Sequence, residues 1–201
     1  NHVFLLLICA AVASLILGMG MPSVAAYSLV AILVAPALVQ YGIPAMAAHL
    51  FVFYFSVISN ITPPVAVSCF AAAPLAGANP TKVGFTAFRL AIAAYIVPFV
   101  FCFVPSLIMI GEVWEIVVNF SFCCYAIFGV CVALSGYWHR NVPTLTRIAI
   151  CAAAAVVLWP SSYLVNIAGT AIMTLLLLPD IKLSIQANKE KKASKLSADA
   201  T

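Results

Sequence analysis

The sequence predicts an all-α membrane protein, with a re-entrant helical hairpin, a broken transmembrane helix and about four further spans. Three observations carry this. Hydrophobic residues make up 66% of the chain and charged residues only 7%, whereas a water-soluble domain carries roughly a quarter charged residues. Apolar runs recur at or below the roughly 20 residues that a hydrocarbon core asks of a spanning helix. Glycines and prolines interrupt two of those runs where the chain must lie at bilayer depth.

Residues 3–17 are near-continuous apolar helix formers, short for a span, and stop at Gly18-Met19-Gly20-Met21-Pro22. Residues 23–39 resume as a second short helix. Two half-length runs about a Gly/Pro break fit a hairpin, 3–40, that enters the bilayer and comes back out. The apolar run opens at once after Asn1, with no basic leader, so the chain is read as the C-terminal part of a longer polypeptide.

A broken helix is expected over 47–77. Its first run, 47–59, stops at "NITPP", Asn60 to Pro64, before 65–76 resumes. Pro63 and Pro64 remove two backbone donors and push the preceding residues out of helical geometry. The polar stretch 77–89, with Asn79-Pro80 as a turn signal, carries Lys82 and Arg89. A full span is expected over 90–110 and another over 116–136. The block 148–178 is long for one helix and is punctuated by "WPSSY", so it reads as two short helices, with one long tilted helix as the alternative. Residues 1–111 thus form a core region, 112–180 the terminal transmembrane helices, and 181–201 a Lys-rich tail.

Lys and Arg favour cytoplasmic loops. With the tail inside, Arg140 and Arg147 fall inside, Glu112 and Glu115 outside, and Lys82 and Arg89 inside. Every basic residue then lands on one face, and the hairpin opens outward. The net charge of +4 comes mostly from the tail, whose "KEKKASK" holds no aromatics, so it speaks of a membrane face and not of nucleic acid. The seven cysteines all sit in apolar runs without metal-ligand spacing and are expected to be small buried hydrophobes. Trp114, Trp138 and Trp159 fit interfacial anchors. No Ser/His/Asp, Cys/His or paired-carboxylate arrangement lies in the membrane runs, so no enzyme is expected.

The two breaks are the candidate site. Irregular backbone at membrane depth is tolerated only where it is buried in protein or lines a cavity. Secondary transporters use paired breaks in this way: freed carbonyls hold a cation while half-helix N-termini face an anionic substrate. Gly18 and Gly20 permit close backbone approach, Thr62 offers a hydroxyl and Asn60 an amide oxygen. For a single break, a proline kink or tight helix packing is the plainer account; two in succession favour a site. The G-x-G is no nucleotide fingerprint, because Ser23 takes the third glycine position and a helix precedes it. Tyr27 and Ser28 follow the tip and either face the cavity or pack on a neighbour. His49, in "AAHLFVFYF", is either a packing histidine or a proton relay.

The words "GMGMP…AAY", "AAHLFVFYF" and "ITPPVA", followed by "KVGFTAFR", closely resemble the large membrane subunit of tripartite ATP-independent periplasmic (TRAP) transporters, in the fused small-plus-large form that works with TAXI-type receptors. The resemblance covers about residues 3–111. It implies an elevator-type, Na⁺-coupled or H⁺-coupled importer of organic acid anions such as C4-dicarboxylates. It further implies the bacterial inner membrane, a cytoplasmic C-terminus, a periplasmic TAXI-type solute-binding protein as partner and small-subunit helices fused upstream. No cofactor is implied beyond Na⁺ as coupling ion. Gly18, Gly20, Met21, Asn60 and Thr62 would form one Na⁺ site, and Pro22, Ser23, Tyr27, Pro63 and Pro64 would border the substrate cavity. Many relatives place an acidic residue where this chain has Pro22, and glycine where it has Ser59 and Ala66. Two alternatives stay open: a receptor-independent elevator anion symporter, and a non-transporting membrane scaffold subunit.

Overall fold

The computed structural model describes residues 2–137, 142–159 and 163–177. Trp138, Arg140 and the tail 181–201 lie outside the described residues. The helices are α1 (Val3–Gly18), α2 (Ser23–Gln40), α3 (Ala45–Ile58), α4 (Val67–Ala72), α5 (Pro80–Phe103), α6 (Val113–Ser135), α7 (Thr144–Leu158) and α8 (Tyr163–Leu177), with 3-10 turns at Ser59–Ile61 and Pro105–Ile108. The chain divides into two units, Asn1–Phe120 and Ser121–Thr201.

The first unit is built on α1, α2 and α3, each packed on the other two, with α5 against α3 and α4. Its core holds Leu7, Val30, Leu38, Phe51, Val52 and Phe55. Phe99 of α5 meets Phe51 and Phe55 edge to face, at ring-centroid distances of 5.4 and 5.8 Å. Outside this cluster the usual soluble pattern is reversed. Leu5, Ile16, Val24 and Ile32 are exposed while Ala10, Ala11, Ala26, Ala47 and Ala48 are buried. Small residues let helix backbones approach, and large apolar ones suit a surface facing lipid. Buried hydroxyls do not go unmet: Ser14 donates to the Ala10 carbonyl at 2.7 Å and Ser56 to that of Val52 at 2.8 Å. This is an all-α membrane protein.

Helices α2, α5 and α6 are long and apolar enough to cross a bilayer. At 1.5 Å per residue α2 reaches about 27 Å, so its run is longer than the half-length segment that its residues suggest. Helix α5 begins at Pro80 and not at Leu90, and it ends at Phe103. The Asn79-Pro80 pair is its start signal. The Asn79 side chain accepts from the Thr81 and Lys82 amides at 3.0 and 3.3 Å, and Pro80 takes the first helical position, where a missing N–H costs nothing. Polar residues 81–89 are therefore the first turns of a helix. Its far end gives way at Val104 to the 3-10 turn, and Met109 and Gly111 take positive φ.

In the second unit the block 148–178 is two helices, α7 ending at Leu158 and α8 starting at Tyr163. Glycines set their close approaches: a Cβ on Gly129 would run into the Met173 sulfur, and one on Gly169 would lie 2.6 Å from Val157. The Tyr125 and Thr174 hydroxyls bond at 2.7 Å. The expectation of seven buried cysteines is corrected: Cys69, Cys102 and Cys123 are buried, but Cys9, Cys124 and Cys131 are exposed and Cys151 is intermediate. An apolar run does not distinguish the core face of a helix from the lipid face.

Arg147 is more than a surface charge. Its Nε donates to the Ala133 carbonyl at 2.6 Å and its Nη2 to Leu134 at 3.3 Å. A cation there satisfies the last carbonyls of α6 and complements the helix dipole. Arg147→Met should cost about 1.5–3 kcal/mol, the worth of hydrogen bonds to a charged group, with Arg147→Lys intermediate. The thermal unfolding midpoint of the full-length protein in detergent checks this; an unchanged midpoint in Arg147→Met would contradict the capping role.

Candidate cation and substrate site at two helix breaks

The first break follows from three residues. Helix α1 ends at Gly18, Met19 is extended at φ −62° and ψ 126°, and Gly20 takes φ +79°. Two weak turn bonds, Met19 N–H to the Ile16 carbonyl and Met21 N–H to that of Gly18, both at 3.4 Å, close the loop. Pro22 then precedes α2 as its N-cap residue, without a side-chain cap. The two glycines serve different ends. Gly20 supplies a left-handed backbone that an L side chain adopts at a cost of about 1–2 kcal/mol. Gly18 supplies room, since a Cβ there would lie 2.7 Å from the Ser59 Oγ and 3.2 Å from its Cβ.

The second break opens where α3 tightens into the 3-10 turn Ser59–Ile61. Thr62 is extended, the Pro63-Pro64 bond is cis, and Ala66 sits at φ +37°. Ser59 is fully buried and donates to the Ser56 carbonyl at 2.7 Å. Thr62, also buried, donates to the Ile58 carbonyl at 2.8 Å.

The breaks meet. Besides the Gly18–Ser59 contact, the Asn60 Nδ2 donates to the Ser23 Oγ at 3.3 Å and to the Val57 carbonyl at 3.2 Å. A carbonyl only accepts, so the nitrogen must face it and the amide Oδ1 points elsewhere. Among the described residues that Oδ1 accepts no hydrogen bond, nor do the carbonyls of Met19 and Gly20. Gly18, Gly20, Ser23, Asn60 and Thr62 thus belong to two loops in contact. Met21 lies in the first loop through its backbone. Pro63 and Pro64 line a cleft of roughly 540 Å³ together with Ala66, Phe70, Thr81 and Phe85.

Tyr27 is turned away from both breaks. Its hydroxyl lies 3.2 Å from the His49 Nδ1 and its ring meets Phe53 edge to face. Ser28 bonds back to the Val24 carbonyl within its own helix. The residue absent from the sequence-based set is Tyr95 of α5, whose hydroxyl lies 2.5 Å from the Thr62 Oγ1. Its signal was a lone hydroxyl in the apolar "AIAAYIVPF".

The family model for the DctM component of tripartite ATP-independent periplasmic transporters matches residues 1–116. The chain belongs to this family. It is thus a TRAP-type secondary transporter permease of the inner membrane, a class that works with a periplasmic solute-binding receptor. No curated protein and no solved structure matches it.

Because Gly18 abuts Ser59, Gly18→Ala should lower the thermal midpoint of the detergent-solubilised protein, and Ser59→Gly should restore much of the loss in the double variant. A coupling of about 0.5–3 kcal/mol is the range for residues in contact. Gly20→Ala should destabilise too, through its φ, yet gain nothing from Ser59→Gly. Additive effects of Gly18→Ala and Ser59→Gly would contradict the contact.

Proposed function

We propose that this DctM-family chain contributes one Na⁺ site and part of the substrate cavity to a permease that imports organic acid anions handed over by a TAXI-type receptor. The observation that carries the reading is the joining of the two breaks, Gly18 against Ser59 and Asn60 bonded to Ser23. The two loops that join there carry the Thr62 hydroxyl, the Asn60 Oδ1 and the carbonyls of Met19 and Gly20. These are neutral oxygens. The chain's five acids, Glu112, Glu115, Asp180, Glu190 and Asp199, all lie beyond residue 111. A divalent ion is held largely by carboxylates, so a neutral oxygen cluster suits a monovalent cation, as in transporters that hold Na⁺ on unwound carbonyls.

The anion has its own support. Helix α2 starts without a side-chain cap, and the free amides of a helix N-terminus attract negative charge. The cleft beside Pro63 and Pro64 borders the first turns of α5, which carry Lys82. Proton coupling would fall to His49, the histidine nearest the breaks in sequence, but its bond is to Tyr27. The elevator movement, the fused small-subunit helices and the cytoplasmic C-terminus belong to the same proposal, supported by the family and, for the C-terminus, by the count of Lys and Arg along the sequence.

Thr62→Ala in the full-length permease should raise the Na⁺ concentration for half-maximal, receptor-dependent uptake about tenfold, the equivalent of about 1.4 kcal/mol lost from the ion. Thr62→Ser should shift it less. Uptake that is indifferent to Na⁺ in the unaltered permease, or equal in all three proteins, would contradict the assignment.

A further inference from the structure

Thr62 has one hydroxyl proton and two oxygens competing for it. Its Oγ1 is 2.8 Å from the Ile58 carbonyl and 2.5 Å from the Tyr95 hydroxyl. A hydroxyl donates once and accepts twice, so only two arrangements exist. In the first, Tyr95 donates to Thr62 and Thr62 donates to Ile58. In the second, Thr62 turns its proton onto Tyr95, and the Ile58 carbonyl and the Thr62 oxygen are left with no proton between them. Two oxygens 2.8 Å apart with no proton between them repel, unless a cation lies near both.

We infer that Tyr95 is a positioning residue for the cation site, accepting the Thr62 proton when the ion arrives so that Thr62 and Ile58 both become ligands. The inference rests on the Na⁺ reading proposed above. No proton leaves the protein; one O–H rotates, and the phenol's own O–H rotates out of the pair. The ring is held for this by two neighbours, Phe88 at 5.4 Å and Phe55 at 6.3 Å between centroids. Tyr95 also lies on α5 while Thr62 lies in the break, so the same bond makes ion occupancy felt by a second helix. Helix α5 already packs on α3 and α4, the two halves of the broken helix.

In this account Tyr95→Phe leaves Thr62 bound to Ile58 with no alternative acceptor, and the ion loses a carbonyl. The test uses the full-length purified permease and NaCl, with choline chloride as control. Two readouts are taken: the rise in thermal midpoint with Na⁺, and the Na⁺ dependence of receptor-supported uptake. Tyr95→Phe should raise the half-maximal Na⁺ concentration about tenfold in both, with the uptake rate at saturating Na⁺ little changed. The Thr62→Val/Tyr95→Phe double variant should be no worse than Thr62→Val alone, since both act through one hydroxyl. Phe88→Leu, which loosens the ring but keeps the hydroxyl, should lower the midpoint without changing the Na⁺ requirement. If Tyr95→Phe does not fold, Tyr95→His, too short to reach Thr62, should show the same raised requirement. A normal Na⁺ response in Tyr95→Phe or Tyr95→His, beside a Na⁺-dependent unaltered protein, overturns the role of Tyr95 alone. An unaltered protein that ignores Na⁺ overturns the site itself and this inference with it.

Discussion

A backbone N–H or carbonyl left bare in a hydrocarbon environment costs several kcal/mol, and the first unit is arranged around that fact. Each helix break frees such groups, and neither could stand alone in lipid. The two are therefore set against each other. Gly18 lets the hairpin loop sit on Ser59, Asn60 ties the second break to the start of α2, and the buried hydroxyls of Ser56, Ser59 and Thr62 turn back onto carbonyls of α3. What this leaves over is a small group of oxygens without donors. In a membrane, oxygens in that condition call for a cation or water, and this is the physical ground on which we propose the junction as a binding site.

The same constraint explains the distribution of residue sizes. Dispersion and close backbone approach hold helices together where lipid removes the hydrophobic drive between them. Alanine, serine and glycine accordingly fill many of the contacts of α1 with α2 and α3, beside Leu7, Val30, Leu38 and Val52, while Leu5, Ile16, Val24 and Ile32 face outward. Aromatic rings are the exception. Phe99 meets Phe51 and Phe55 edge to face and links α3 to α5, which brings Tyr95 opposite Thr62.

Much of this was readable in the residues because glycine and proline act locally. "GMGMP" and "NITPP" mark breaks whatever surrounds them, and the limits of α1 and α2 follow from them. Hydropathy places the start of α5 too late because it sees only the greasy part of a helix, whereas Asn79 and Pro80 cap a helix whose first turns are polar. Three features depend on tertiary pairing and leave no local trace. They are the Asn60–Ser23 bond, 37 residues apart in sequence, the partnership of Tyr95 with Thr62, and the capping of α6 by Arg147. Tyr27 shows the converse: its place beside the glycine tip leaves the cavity and a neighbouring helix equally open, and only the packing of α2 on α3 gives its hydroxyl to His49 and its ring to Phe53. The cysteines err for a similar reason, since composition does not say which face of a helix looks inward.

The central claim, that the two breaks form one site, is open to a direct geometric measurement. In a full-length permease lacking its native cysteines, Ser23→Cys and Asn60→Cys replace the two residues whose side chains touch at 3.3 Å. Mild oxidation in the membrane should join them, so that neither thiol then takes up a maleimide-linked polymer that shifts the protein on a gel. A control pair, Ser23→Cys with Gln40→Cys at opposite ends of α2, should stay fully reactive, being about 25 Å apart along the helix. Undiminished labelling of the Ser23→Cys/Asn60→Cys protein after oxidation would mean that the breaks do not meet, and the shared site would not exist.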